Sequence, residues 1–172
     1  APKDIVFSGV GKTAGEMEFA LANDIFQFNV ESEPELELLS RVATGKGLKA
    51  RVAIRVNPDV DPKTHAKIST GQKESKFGIA MSHALPVFKL AASLPGIELC
   101  GVSVHIGSQL TNIEPFAQAF ARVREFVLAL RAQGFTITTV DRGGGLGIPY
   151  GKDAPLLPDI YAETALREMQ GI

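Results

Sequence analysis

The sequence predicts an α/β fold in which about five strand–helix units form part of a (β/α)8 TIM barrel. Two observations carry that reading. Five short apolar runs, each followed by a helix-period pattern, alternate along 172 residues with no linker or low-complexity stretch between them, and such alternation implies parallel strands joined by crossovers. The residues that close the five runs are all polar or glycine-rich: Ser8-Gly9, Asn29-Val-Glu31, Arg55-Val-Asn57, His105-Ile-Gly-Ser108 and Asp141-Arg-Gly-Gly-Gly145. An open doubly wound sheet of five strands gathers its ligand contacts at one switch point, whereas a barrel collects groups from many strand ends around one mouth. Five decorated ends favour the barrel. A whole barrel needs about 250 residues, so residues 1–172 are expected to be a segment of a single barrel domain.

Each unit has its own signals. Ile5-Val-Phe7 is the first strand, and Thr13-Ala-Gly-Glu16 has capping-box spacing at the start of a helix that runs to about Leu21. Ile25 to Val30 alternates as a second strand. Ser32-Glu-Pro-Glu35 repeats the box, with Pro34 tolerated in the first turn and Leu36, Leu39, Val42 and Ala43 on one side. Arg51 to Val56 alternates again, Ser82 is placed to cap a helix to about Ser93, and Ile97 to Ile106 is a fourth strand region. Phe116, Ala119, Phe120, Val123, Phe126, Val127 and Leu130 make one continuous apolar stripe that Gly134 is placed to end. Thr136 to Val140 is the fifth strand, and Pro158 introduces a last helix.

Composition removes several function classes. Lys and Arg number 18 against 19 Asp and Glu, and a net charge of −1 provides no general attraction for a phosphate backbone or an anionic membrane. Neither nucleic acid nor membrane is expected as a partner. The charge-free run from Leu99 to Ile113 contains His105, Ser108, Gln109 and Asn112, too polar for a bilayer that needs about 20 apolar residues. A lone cysteine, Cys100, forms no internal disulfide, and no basic-then-apolar leader opens the chain, so a cytoplasmic location is expected. The opening Ala-Pro-Lys-Asp lacks an initiator Met and the end at Met169-Gln-Gly-Ile172 falls in or just after a helix; an internal piece of a longer protein is the expectation.

Candidate chemistry lies at the strand ends. Consecutive glycines at Gly143, Gly144 and Gly145 let backbone N–H groups converge on an anion, or make a simple turn. The loop departs from the dinucleotide pattern, since Ile148 stands where its last glycine would be. Gly9-Val-Gly-Lys12-Thr13 resembles the end of a P-loop, but Val6 occupies the first glycine position, so an ordinary turn is expected. His105 ends a strand with Ser108 three residues on, and reads either as a ligand-facing imidazole or as a satisfied core histidine. His65, His83 and His105 lack metal-ligand spacing, and no metal is expected. No G-x-S-x-G elbow occurs, because Leu110 follows Ser108 and Gln109. Arg55 begins a loop of about twenty residues through Asp59, Asp61, Thr64, His65, Thr70, Gly71 and Lys76, a length that tends to be functional or disordered. It reads either as a ligand contact or as the ion-pair partner of Glu31 or Asp141.

In order, Asn29-Val-Glu-Ser32, Arg55-Val-Asn-Pro-Asp59, Lys76-Phe-Gly78, His105-Ile-Gly-Ser-Gln109 and Asp141-x-Gly-Gly-Gly-Leu-Gly147 resemble the alanine-racemase-like pyridoxal-phosphate decarboxylases, across Ile5 to Tyr150. The resemblance implies a pyridoxal 5'-phosphate (PLP)-binding (β/α)8 barrel in a homodimer that takes a small amino-acid substrate. The reaction it implies is loss of one carboxylate from meso-diaminopimelate, the last step of lysine synthesis. Ornithine, arginine or carboxynorspermidine as substrate, or a non-catalytic phosphate-binding homologue, are its alternatives. It further implies that His105 lies flat on the pyridine ring as the catalytic-site residue. Ser108, Gly143, Gly144 and Gly145 would hold the phosphate, Gly145 most directly, with Arg55 near the cofactor's hydroxyl side. The lysine that carries the cofactor is expected upstream of residue 1. The pyridine-nitrogen partner and a C-terminal β-domain with the proton-donating cysteine are expected downstream, leaving the segment inactive by itself.

Overall fold

In the computed structural model, residues 1–60, 77–149 and 155–172 are described. A 3₁₀ turn at Pro2–Asp4 leads into β1 (Val6–Phe7), α1 (Ala14–Ala22), β2 (Gln27–Val30), α2 (Glu33–Gly45) and β3 (Ala50–Asn57). Then come β4 (Ile79–Ala80), α3 (Met81–Ser93), β5 (Ile97–Val104), α4 (Glu114–Ala132), β6 (Thr139–Asp141) and α5 (Pro158–Glu168). All strand pairs are parallel, in the order β1-β2-β3-β5-β6, with the short β4 beside the end of β3. The sheet curls into a partial barrel of five strand–helix units, as expected.

Strand alternation separates the two faces. Phe28, Val30, Val52, Ile54, Val56, Val102 and Val104 join Leu36, Leu39, Val87, Phe88, Val123, Val127 and Leu130 of the covering helices in one core. The other face is polar. Gln27, Asn29, Glu31, Arg55, Ser103, Thr139 and Asp141 point to the concave side, where two hydrogen bonds cross it. Thr139 Oγ1 donates to Gln27 Oε1 at 2.6 Å, and Asn29 Nδ2 donates to Asp141 Oδ2 at 2.6 Å. These bonds join β2 to β6, which β3 and β5 separate in the sheet. The intervening positions are small, Ala53 and Gly101. A Cβ on Gly101 would stand 2.2 Å from Thr139 Oγ1 and 2.7 Å from its carbonyl oxygen, so the curl requires glycine there.

Several elements differ in detail from the sequence expectation. The Thr13–Glu16 box forms in full, whereas at Ser32 only half of it forms: Ser32 Oγ accepts from Glu35 N–H, but the Glu35 carboxylate is drawn to Lys12. Ser82 does not cap α3, because β4 runs straight into the helix and Ala80 takes the cap position without a side-chain bond. The fifth strand of the sequence reading begins later, at Thr139, since Ile137 turns into the helix-side core and Thr138 N–H donates to the Cys100 carbonyl. The α4 stripe is buried as expected, and Gly134 follows its end at φ +89°. No helix among the described residues is long and apolar enough to cross a membrane.

Candidate functional site

The carboxyl ends of β2, β3, β5 and β6 bring the predicted groups to one mouth. Glu31 is buried just past β2, where its carboxylate accepts from Arg55 Nη1 at 2.6 Å and from Gly9 N–H at 3.1 Å. Of the two ion-pair partners considered for Arg55, Glu31 is therefore the one it meets. The guanidinium also lies 6.0 Å from the Phe77 ring centre, and its Nε is buried without a hydrogen-bond partner among the described residues.

His105 leaves the end of β5 half-buried. Burial, and then the neighbouring Arg55 charge, hold its imidazole below the usual histidine range against the opposing pull of Asp141 and Glu31. The balance favours the neutral form of the ring.

The loop after β5 and the glycine loop after β6 are joined along their length. Leu110 N–H donates to the Gly145 carbonyl, Gly147 N–H to the Leu110 carbonyl, and Leu110 and Leu146 form an isolated parallel bridge. The two backbones pass so closely that a Cβ on Gly145, at φ +102°, would stand 2.0 Å from the Gly107 carbonyl oxygen and 3.7 Å from His105 Cε1. Gly143, at φ +70°, lies equally close to Val104 and His105. Glycine is required at both positions by this approach. The structure thus sets His105 and Gly145 side by side on one rim.

Donors in the loop are divided. Gly143 N–H donates to Asp141 Oδ1 at 2.8 Å, so it is committed within the chain rather than free for an anion. The N–H groups of Gly144 and Gly145 and the Ser108 hydroxyl have no partner among the described residues. A Cβ on Gly144 would meet nothing within 4 Å, so the space beside it is open. Two N–H groups and a hydroxyl next to a neutral ring suit a phosphorylated planar ligand.

Lys12 is not in this cluster. Its ammonium is buried and donates to the Gly9 and Asn29 carbonyls and to Glu35 Oε1, at 2.6, 2.7 and 2.7 Å. All three protons are used, so the turn lacks a phosphate-seeking lysine, as its P-loop mismatch implied. No group of metal-ligating side chains occurs among the described residues. Asp61, Thr64, His65, Thr70, Gly71, Lys76 and Tyr150 lie outside the described residues.

Gln27 and Thr139 on the concave face were not singled out from the sequence, nor were the partners of Asn29 and Gln109. The period-two polar series Gln27, Asn29, Glu31 inside an otherwise buried strand was the available signal.

Comparison with known proteins gives the family of the chain. Residues 1–170 match the pyridoxal-binding domain of the pyridoxal-dependent decarboxylases. A diaminopimelate decarboxylase of Zymomonas mobilis subsp. mobilis is 51% identical over 172 residues, covering 99% of this chain and 41% of that protein. One from Vibrio cholerae is 48% identical over 169 residues, covering 98% and 40%. A solved Helicobacter pylori diaminopimelate decarboxylase, in complex with L-lysine, superposes with a TM-score of 0.91 at 43% identity, covering 99% of this chain and 43% of that one. The chain spans about two-fifths of the length of these relatives.

Proposed function

The chain belongs to the pyridoxal-dependent decarboxylases, and from that membership we propose that its protein removes one carboxylate from meso-diaminopimelate to give lysine. The observation that carries the proposal is the joined pair of loops, which sets His105 beside Gly145 on one rim, next to the uncommitted donors of Ser108, Gly144 and Gly145. The choice of substrate rests on the diaminopimelate decarboxylases at about half identity over almost the whole chain. In this reading residues 1–172 are one segment of a single barrel domain, and the protein works as a homodimer. A single buried, unpaired cysteine fits the reducing cytoplasm.

Pyridoxal 5'-phosphate, when bound, supplies the electron sink for the pair left by departing CO2. The chain's task is to hold that group. Gly144 and Gly145 N–H and the Ser108 hydroxyl would donate to its phosphate, and the short approach of Gly107 to Gly145 holds the two loops together. His105, whose neutral form is favoured, would offer a flat face to the ring without adding a second positive charge beside Arg55. Glu31 restrains Arg55 and balances its charge, and Arg55 would lie on the hydroxyl side of the bound group.

The test uses the full-length protein. Added pyridoxal phosphate is expected to give a visible absorbance band that borohydride abolishes, and carboxyl-labelled meso-diaminopimelate to release labelled CO2 with lysine. Absence of both overturns the proposal; release from ornithine or arginine alone reassigns the substrate.

A further inference from the structure

We propose that Asn29 and Asp141 act together as positioning residues that set the glycine loop for its phosphate, an inference that rests on the cofactor reading above. Asn29 stands on β2 and Asp141 at the end of β6, 112 residues apart, yet Asn29 Nδ2 reaches Asp141 Oδ2 at 2.6 Å. The other carboxylate oxygen, Oδ1, accepts from Gly143 N–H at 2.8 Å. One carboxylate therefore ties the far side of the curled sheet to the first glycine of the loop. Gly143 runs so close to the sheet that a Cβ there would stand 2.3 Å from the Val104 carbonyl oxygen. The anchor itself is braced: Gln27 Nε2 donates to Asn29 Oδ1 at 2.8 Å, Asn29 Nδ2 also meets Ser8 Oγ at 2.7 Å, and Thr139 Oγ1 donates to Gln27 Oε1. Asn29 touches none of the groups proposed to meet the cofactor; it acts through Asp141.

Polarity makes the pair testable by exchange. Asn29→Asp places two carboxylates in contact, and Asp141→Asn turns an amide toward an amide or toward Gly143 N–H. The combined N29D/D141N restores every bond, because the new carboxylate at position 29 accepts from Gln27, from Ser8 and from the new amide at position 141, whose oxygen still accepts from Gly143.

In the full-length protein, each single substitution is expected to raise the Kd for pyridoxal 5'-phosphate at least tenfold, with N29D/D141N within about threefold of wild type. Amide hydrogen exchange at Gly143, measured without cofactor, is expected to quicken in both single variants and to slow again in the combined one. Should N29D not fold, Asn29→Ser, which withdraws the amide without adding charge, takes its place in both measurements. Losses that simply add in the combined variant, or single variants that bind as wild type does, overturn the proposal. Failure of the wild-type protein to bind pyridoxal phosphate overturns the cofactor reading instead. In that event Gly143 exchange still judges the loop anchor, and unchanged exchange in the single variants overturns it.

Discussion

Gln109 and Ile148 exchange two hydrogen bonds: Ile148 N–H donates to Gln109 Oε1 at 3.0 Å and Gln109 Nε2 donates to the Ile148 carbonyl at 3.1 Å. A side-chain amide thus stands in for one more residue of the short bridge between the two loops, extending it past Leu110 and Leu146. Gln109 adopts a left-handed backbone, φ +58°, to present it, a conformation that costs a non-glycine residue of order 1 kcal/mol.

Gln109→Ala should release the far end of the glycine loop. Two exposed hydrogen bonds are worth at most about 1–2 kcal/mol together, so pyridoxal phosphate is expected to bind roughly 5–30-fold more weakly. Gln109→Glu keeps the acceptor for Ile148 N–H but sets a carboxylate oxygen against the Ile148 carbonyl, and should bind no better than Gln109→Ala. Titration of the full-length protein reads both; wild-type affinity in Gln109→Ala would show that the main-chain bridge suffices.

His105 has a pH consequence. Its folded-state value is lowered, by burial first and the Arg55 charge second, so the unfolded chain binds this proton more readily than the folded one. Stability from this group is complete above about pH 6.5, the unfolded value, and is lost as pH falls through the lower folded value. His105→Gln is expected to flatten the part of the urea-midpoint profile that declines between neutral and mildly acidic pH. An undiminished decline would assign it to other groups.

Legibility in the sequence followed the range of the interaction. The Thr13 box and the α4 stripe were readable because their partners stand three or four residues away. The Ser32 box read correctly as a helix start and wrongly as a reciprocal pair, since Glu35 is claimed by Lys12, 23 residues back. The rim itself was found because glycine runs and a histidine at strand ends carry local signals. The braces beneath it were not, because Asn29 with Asp141, and Gln27 with Thr139, are each separated by 112 residues, and one sequence has nothing that ties such positions together.

Gly145→Ala and Gly145→Val test the rim through sterics. The added Cβ would stand 2.0 Å from the Gly107 carbonyl, at a φ of +102° that L-residues avoid. The joined loops must separate, with His105 on the side they leave. Both variants are expected to lose at least tenfold in pyridoxal phosphate affinity, the alanine included, although its methyl group is small. Retained affinity in Gly145→Ala would place the phosphate elsewhere.

Gly101→Ala tests the curl. Its methyl group meets Thr139 Oγ1 and the Thr139 carbonyl, at 2.2 and 2.7 Å before relaxation, and overpacking of this kind costs about 1–3 kcal/mol. Adding Thr139→Ala removes the first clash but leaves the carbonyl, and also deprives Gln27 Oε1 of its hydroxyl donor, leaving it the Cys100 thiol. Partial recovery at most is expected in urea denaturation. Full recovery would mean that the main chain of β6 shifts freely and that the bonds across the concave face do not fix it.

Lys12 separates a structural cation from a phosphate-binding one. Lys12→Met leaves Glu35 as an uncompensated buried charge and strips the Gly9 and Asn29 carbonyls of a donor, a loss of about 3–5 kcal/mol for breaking a buried pair. Adding Glu35→Leu removes the stranded charge and should return part of that stability, though not the part owed to the two carbonyls. Where the protein stays folded, affinity for pyridoxal phosphate should be unchanged within about twofold, because every proton of the ammonium is already used inside the chain. A large fall in affinity without a fall in stability would instead put Lys12 at the phosphate.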